Sequence, residues 1–221
     1  MYIEKQFTKA DIDHYLYLLA REYKKRNRKS RRVELILVGG ASIIINYGFR
    51  DSTTDIDAMI LADSVMQESI YAIAEKENIP DGWLNADFMR SDSFSSALIM
   101  HSSYYRTFAN VLEVRTVKDE YLLAMKLVSG RNYKRDLSDI VGILEKSKQE
   151  GTPITEERVD KAMIDLYGSW DKVDEHAKEL YLAVMKDPDA GKKYNEVIEE
   201  ENANKAIKLE DLRRKKDENS R

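Results

Sequence analysis

Residues 33–61 read VELILVGGASIIINYGFRDSTTDIDAMIL, and the fold turns on how this stretch is parsed. Residues 33–38 are rich in aliphatic and β-branched residues and stop at Gly39-Gly40, the pattern of a buried strand that ends in a tight turn. Residues 41–47 then form a short apolar segment closed by Gly48, which reads as a helix with a glycine at its C-terminal end. After a polar turn, residues 54–61 are again apolar apart from Asp55 and Asp57. This is a second strand carrying two carboxylates.

Outward from this core, Thr8-Lys9-Ala10-Asp11 has the form of a capping box, and Ile12, Leu16, Leu19 and Tyr23 follow at helical spacing, so a helix is expected over about 10–28. Residues 64–77 are helical in pattern, and Pro80-Asp81-Gly82 is a turn. Residues 83–89 and 110–117 are the next expected strands, separated by an irregular Ser-rich stretch, 91–103. From Asp119 onward the pattern is helical. The expectation is an α+β chain: a small mixed β-sheet flanked by helices, followed by an all-helical C-terminal region. The domain reading is 1–150 for the sheet domain, 151–185 for a helical extension and 186–221 for a charged tail that is an exposed helix, a partner-dependent segment or disorder.

The chain has 221 residues, 34% of them charged, with 36 Lys and Arg against 40 Asp and Glu. No cysteine is present, which excludes disulfides, thiolate zinc sites, Fe–S clusters and a Cys nucleophile. His14, His101 and His176 are scattered without a ligand pattern. The apolar runs are far shorter than the roughly 20 residues a bilayer requires, and residues 1–5 carry no apolar leader. A cytoplasmic protein without a membrane partner is expected.

Carboxylates two apart on a strand share a face, because side chains alternate with period two. Asp55 and Asp57 therefore crowd two like charges together, and hard oxygen ligands of this kind suit Mg²⁺, which completes its shell with water and phosphate oxygens. Alone, Asp-x-Asp reads equally as a solvated strand end, and the glycine pair as a simple turn. Together they form a sequence: strand, glycines without Cβ atoms, helix N-terminus that favours an anion, then carboxylates. The P-loop and dinucleotide-binding spellings are absent.

The strand-Gly-Gly-helix followed by Arg50-x-x-Thr53-Thr54-Asp55-Ile56-Asp57 resembles the nucleotidyltransferase superfamily signature. Residues 122–131, with Lys126 and Arg131, and Arg135-Asp136-Leu137-x-Asp139-Ile140 are similar to the bacterial branch that holds the AbiEii-type toxins. The resemblance covers roughly 33–145. It implies a minimal polymerase-β-like fold in which Asp55 and Asp57 hold two Mg²⁺ ions, a nucleoside triphosphate is the substrate, and a hydroxyl on RNA, protein or a small molecule is the acceptor. It also implies a third carboxylate, with Asp87 the first candidate and Glu113 the second, and a possible toxin–antitoxin role with a cognate partner protein. Gly39, Gly40, Ser42, Lys126, Arg131 and Arg135 are the implied nucleotide contacts. Ser42 departs from the family's commoner Gly-Ser spelling, in which the hydroxyl falls where Gly40 stands.

Several of these residues have a second reading. Lys126 is the lone charge in the apolar run 121–128, and a buried ammonium must meet an anion; besides a nucleotide phosphate, Asp136 or Asp139 would serve. Arg135 and Asp139 are spaced i,i+4 and can pair on a helix. Residues 21–32 hold eight Lys or Arg, read either as a solvated helix end or as a patch for a polyanionic acceptor.

Overall fold

The computed structural model describes residues 5–27, 32–187 and 191–218. The chain divides into two compact units, Met1–Leu122 and Leu123–Arg221. That division lies earlier than the boundary at 150 expected from the sequence.

The first unit opens with α1 (Lys9–Arg26), started by the expected capping box: Thr8 Oγ1 accepts from Asp11 N–H and the Asp11 carboxylate accepts from Thr8 N–H. Then come β1 (Val33–Leu37), α2 (Gly39–Asn46), β2 (Ile56–Leu61), α3 (Ser64–Glu77), β3 (Leu84–Asn85), β4 (Ser102–Phe108) and β5 (Leu112–Val117). The strands form one mixed sheet in the order β3-β2-β1-β5-β4. β1 runs antiparallel to β2 and parallel to β5, β2 is parallel to β3, and β4 is antiparallel to β5. This is the α+β architecture expected.

Alternation along the strands gives the sheet one apolar face, from Leu35, Leu37, Ile56, Ala58, Leu112 and Val114, all buried in one core with Ile12, Leu16 and Leu19 of α1 and Met66, Ile70 and Ile73 of α3. Trp83 is wholly buried in this core and its indole N–H donates to Ile70 O at 3.2 Å, so the ring's polar edge is satisfied as burial demands. Asp57, Met59 and Leu61 take the opposite face.

Two strand expectations need correction. The strand read over 83–89 is only Leu84–Asn85, followed by a 3₁₀ helix at Asp87–Arg90; Asn85 Oδ1 accepts from Asp87 N–H at 2.9 Å and turns the chain out of the sheet. Within the stretch read as irregular, Ser102–Phe108 begins the edge strand β4.

The second unit is helical. α4 (Asp119–Ser129) runs into it and is followed by α5 (Asp136–Gln149), α6 (Glu156–Tyr167), α7 (Glu175–Lys186) and α8 (Gly191–Glu218). α5 packs on α7 and on α8. Residues 191–218 of the charged tail are thus a helix, and Val197 and Glu201 on it are buried. No helix among the described residues is long and apolar enough to cross a membrane.

Candidate nucleotidyl-transfer site

The turn from β1 into α2 needs glycine twice, for different reasons. Gly39 has φ +53°, a left-handed conformation that other residues adopt at a cost, and a Cβ there would lie 3.4 Å from Asp57 Oδ2. Gly40 has no such angle. Its Cβ would instead sit 2.8 Å from Thr53 Oγ1 and 2.9 Å from Arg50 Cζ and Nη2, so any side chain there would have to push the hydroxyl and the guanidinium aside. The helix follows without a side-chain cap from Val38.

Asp57 is brought to this turn by the sheet. β1 and β2 pair Leu37 with Ala58, and the next main-chain bond, Val38 N–H to Asp57 O at 3.0 Å, seats Asp57 beside the first glycine. Asp55, expected on the strand, instead lies in the bend just before β2, half-buried, with Thr54 Oγ1 donating to its Oδ1 at 3.4 Å, so strand alternation does not align it with Asp57. The segment between α2 and β2 is tied down at Thr53, which exchanges main-chain bonds with Phe7 at 2.7 and 3.0 Å. Arg50 donates from Nε to Ser52 O at 3.0 Å and from Nη2 to Thr53 Oγ1 at 3.4 Å.

Ser42 is buried, and its Oγ accepts from Val117 N–H at 3.2 Å; with Asn46 Nδ2 donating to Val117 O at 3.0 Å, it fastens α2 to the end of β5. Asp87 heads its 3₁₀ turn with a side chain 80% exposed, 3.9 Å from Arg90. Glu113 is paired with Arg115 at 3.2 Å and lies in register with Glu34. Val38, the residue beside Asp57, is four positions further along β1, about 13 Å at a strand's rise. Among the described residues no group of three or more His, Asp or Glu side chains is assembled that could hold a metal ion. Asp55 and Asp57 supply two carboxylates, the number of protein ligands that Mg²⁺ accepts when water and phosphate complete its shell.

The second unit gathers the other sequence-selected residues. Lys126 is buried and pairs with Asp136 Oδ1 at 2.7 Å and Asp139 Oδ2 at 2.8 Å, and Arg131 Nε reaches Asp136 Oδ2 at 2.7 Å. The internal anion weighed for Lys126 is therefore present, and it is both carboxylates. Burial alone would raise the Asp136 carboxyl, but Lys126 and Arg131 outweigh it and hold it well below the usual carboxylate range. Arg135 donates to Ser138 Oγ at 3.2 Å and to Tyr194 OH of α8 at 3.3 Å. The first turn of α5, whose N-cap Arg135 gives no side-chain bond, is capped from α8: Glu201 Oε1 accepts from Leu137 N–H at 2.8 Å and Ser138 N–H at 3.2 Å.

Of the basic run 21–32, residues 28–31 lie outside the described residues. In the described part Arg26 pairs with Glu22 at 2.6 Å and Lys24 donates to Ala109 O at 3.3 Å.

Residues 14–147 match a family described as nucleotidyltransferase of unknown function (DUF6036). The chain belongs to that family. The matched span contains the glycine turn, Arg50, Asp55, Asp57 and Lys126. No curated protein and no solved structure matches the chain.

The sequence reading gave no role to Arg50. Its one signal was an arginine five residues before an Asp-x-Asp; the contact with Gly40 depends on how the loop folds back.

Proposed function

We propose that this nucleotidyltransferase-family protein transfers a nucleoside monophosphate from a nucleoside triphosphate to a hydroxyl acceptor, with Asp55 and Asp57 as the ligands of Mg²⁺ and the Gly39-Gly40 turn as the seat of the phosphates. The observation that carries the reading is the Asp57 carboxylate set against Gly39 at the start of α2. A carboxylate beside an anion-attracting helix start repels a phosphate by itself; with a divalent cation between them the same placement is attractive.

Mg²⁺, when bound, would neutralise charge on the phosphate oxygens. The chain's own residues do the rest. β2 carries Asp57 and the bend just before it carries Asp55, and the glycines let phosphate oxygens approach the main chain without a side chain in the way. The acceptor oxygen forms a bond to the α-phosphorus as the bond to pyrophosphate breaks; pyrophosphate leaves with that electron pair, and the hydroxyl proton passes to solvent. Such catalysis is mainly positioning and electrostatics. The resemblance to the toxin branch adds an RNA or protein acceptor and a cognate partner protein to the proposal.

A second reading, a silent nucleotide-binding or regulatory protein, draws on the missing three-carboxylate group among the described residues. Calorimetric titration with each nucleoside triphosphate, with and without Mg²⁺, followed by a labelled-transfer assay, separates the two. Metal-dependent binding with transfer, both lost in Asp57→Ala, supports the enzyme. Binding without transfer to any acceptor supports the second reading, and no binding defeats both.

A further inference from the structure

We propose that the cavity between α6 and α7 is a binding site for an organic cation, a guanidinium or ammonium group carried on a short apolar stem. The site lies beyond the family match at residues 14–147 and does not depend on the transfer reading. The cavity measures about 370 Å³ and opens to solvent, the size of a small-ligand pocket. Three pieces of the second unit wall it. Glu156 and Asp160 come from α6, Trp170 from the turn between the helices, and Lys178, Tyr181 and Leu182 from α7. Spacings of three and four residues put each helical set on a single face, so the convergence follows from how the two helices fold together.

The observation that points to a ligand is Tyr181. It is 2% exposed, yet its hydroxyl makes no hydrogen bond among the described residues, although a buried tyrosine hydroxyl ordinarily finds a partner. The ring packs against Trp170, with centroids 5.9 Å apart and planes at 35°. Burial pushes the hydroxyl above its ordinary range, and Glu156 and Asp160 push it further, so the group keeps its proton and both carboxylates are near enough to act on it. Those carboxylates stand one helical turn apart, a spacing at which like charges repel, and no ion pair is made to either among the described residues. The cations nearest in sequence are engaged elsewhere: Lys161 pairs with Asp165 at 2.8 Å and Arg158 donates to Pro153 O at 3.4 Å.

These groups specify the charge of the occupant. Two carboxylates against the single ammonium of Lys178 leave the lining one negative charge in excess. A cation placed by Glu156 and Asp160 relieves their repulsion. The faces of Trp170 and Tyr181 attract the same charge through their ring quadrupoles, tryptophan most strongly, and a guanidinium also stacks flat on such rings. The Tyr181 oxygen offers a lone pair to an N–H. Leu182 and the two rings leave an apolar remainder that suits an alkyl stem. An anion would meet Lys178 alone, and a neutral ligand would leave the carboxylates as they are.

The full chain is titrated with butylammonium and butylguanidinium, and with butanol and butyrate as neutral and anionic counterparts on the same stem. Trp170 supplies the fluorescence signal, and circular dichroism follows melting. Both cations are expected to bind about tenfold more tightly than butanol or butyrate, the order of a cation–π contact. Glu156 and Asp160 are exposed, so Glu156→Gln/Asp160→Asn removes the charge without touching the core and should cost about tenfold. Tyr181→Phe removes only the hydroxyl and should cost about three- to tenfold, the range of one hydrogen bond, with melting unchanged. Lys178→Met should tighten cation binding by about two- to threefold, because a like charge is gone. A blocked acetyl-Gly-Arg-Gly-amide peptide, run beside butylguanidinium, separates the sources of the group: tighter binding of the peptide assigns a protein segment, and equal or weaker binding a free small molecule. Equal affinity for butanol and butylammonium, or no binding of either cation, would overturn the inference. So would wild-type affinity in the folded double variant or in folded Tyr181→Phe, or weaker cation binding in Lys178→Met, each of which would leave Tyr181 a core residue whose hydroxyl simply faces water.

Discussion

The chain holds two concentrations of charge that look alike in sequence and differ in structure. Around Gly39-Gly40 the charged side chains Arg50, Asp55 and Asp57 are half-buried, and Arg50 and Asp57 meet a main chain stripped of Cβ atoms. Around Lys126 the carboxylates of Asp136 and Asp139 are almost wholly inaccessible and are met by cations at 2.7 and 2.8 Å. Charges that are buried and matched within the chain serve the fold, because removing one partner leaves the other stranded in a low-dielectric interior. Charges left within reach of solvent at a glycine turn can exchange water for a ligand. The two sites should therefore respond oppositely to substitution, the first losing function with its fold intact and the second losing stability.

The largest effect expected is at Lys126. Lys126→Met would leave Asp136 with Arg131 alone and deprive Asp139 of its 2.8 Å partner, and breaking a buried pair from one side typically destabilises by about 3–5 kcal/mol. Urea unfolding of this variant is expected to show that loss. Restoring charge balance with Lys126→Met/Asp139→Leu should recover much of it. A Lys126→Met protein as stable as wild type, with only its nucleotide affinity reduced, would erase the contrast and make Lys126 a ligand contact first.

How much of this was legible beforehand depended on whether a residue's role is set locally. The β1-turn-β2 core could be read because aliphatic runs, paired glycines and Asp-x-Asp are all short-range signals, and the capping box of α1 was visible for the same reason. β4 was hidden because SSYYRTF is an edge strand whose middle is largely exposed and whose register breaks between Tyr104 and Arg106, so no apolar alternation marks it. The strand at 83–89 was overread because Asn85 ends it with a side-chain bond that composition does not announce. Arg50 and Glu201 were out of reach for a common reason. Each acts on a segment distant in the loop or the chain, and Glu201 is one of three consecutive glutamates, Glu199, Glu200 and Glu201, alike until α8 is laid on α5.

An intermediate effect, pH-dependent and of mixed sign, should arise inside the second unit. Burial pushes the Glu201 carboxyl up to about 7, assisted by the nearby Asp139 charge and opposed by the N–H groups of Ser138 and Leu137. Between the ordinary glutamate value near 4.3 and about 7, the folded chain keeps a proton that the unfolded chain has released. Stability from this group is thus full below that window and declines as pH rises through it, at up to about 1.4 kcal/mol per pH unit. Asp136 works the other way: its depressed carboxyl contributes stability above the ordinary aspartate value near 3.9 that is lost as pH falls further. Glu201→Gln keeps an oxygen for the two N–H groups of α5 and should flatten the decline between pH 5 and 7 while leaving the acid limb. A slope unchanged in Glu201→Gln would show that another group carries it.

The smallest effect on stability, and the sharpest test of the contrast, is expected at Asp57. Asn is nearly isosteric with Asp, so Asp57→Asn leaves the strand, the Val38 N–H to Asp57 O bond and the packing against Gly39 in place. The side chain is only half-buried, and a change of no more than about 1 kcal/mol is expected, the upper range for partly exposed charged pairs. Function should respond on another scale. A neutral amide is a poor ligand for a hard dication, and loss of a direct ligand should exceed the ~10–100-fold penalty usual for an outer-sphere partner. Differential scanning calorimetry and metal-dependent triphosphate binding on the same preparation read both numbers at once. Unchanged binding with a several-degree fall in melting temperature would invert the comparison and assign Asp57 to the fold, and a fall in both would show that the glycine turn and the β2 carboxylate are one structural unit and that charge exposure alone does not separate working residues from supporting ones.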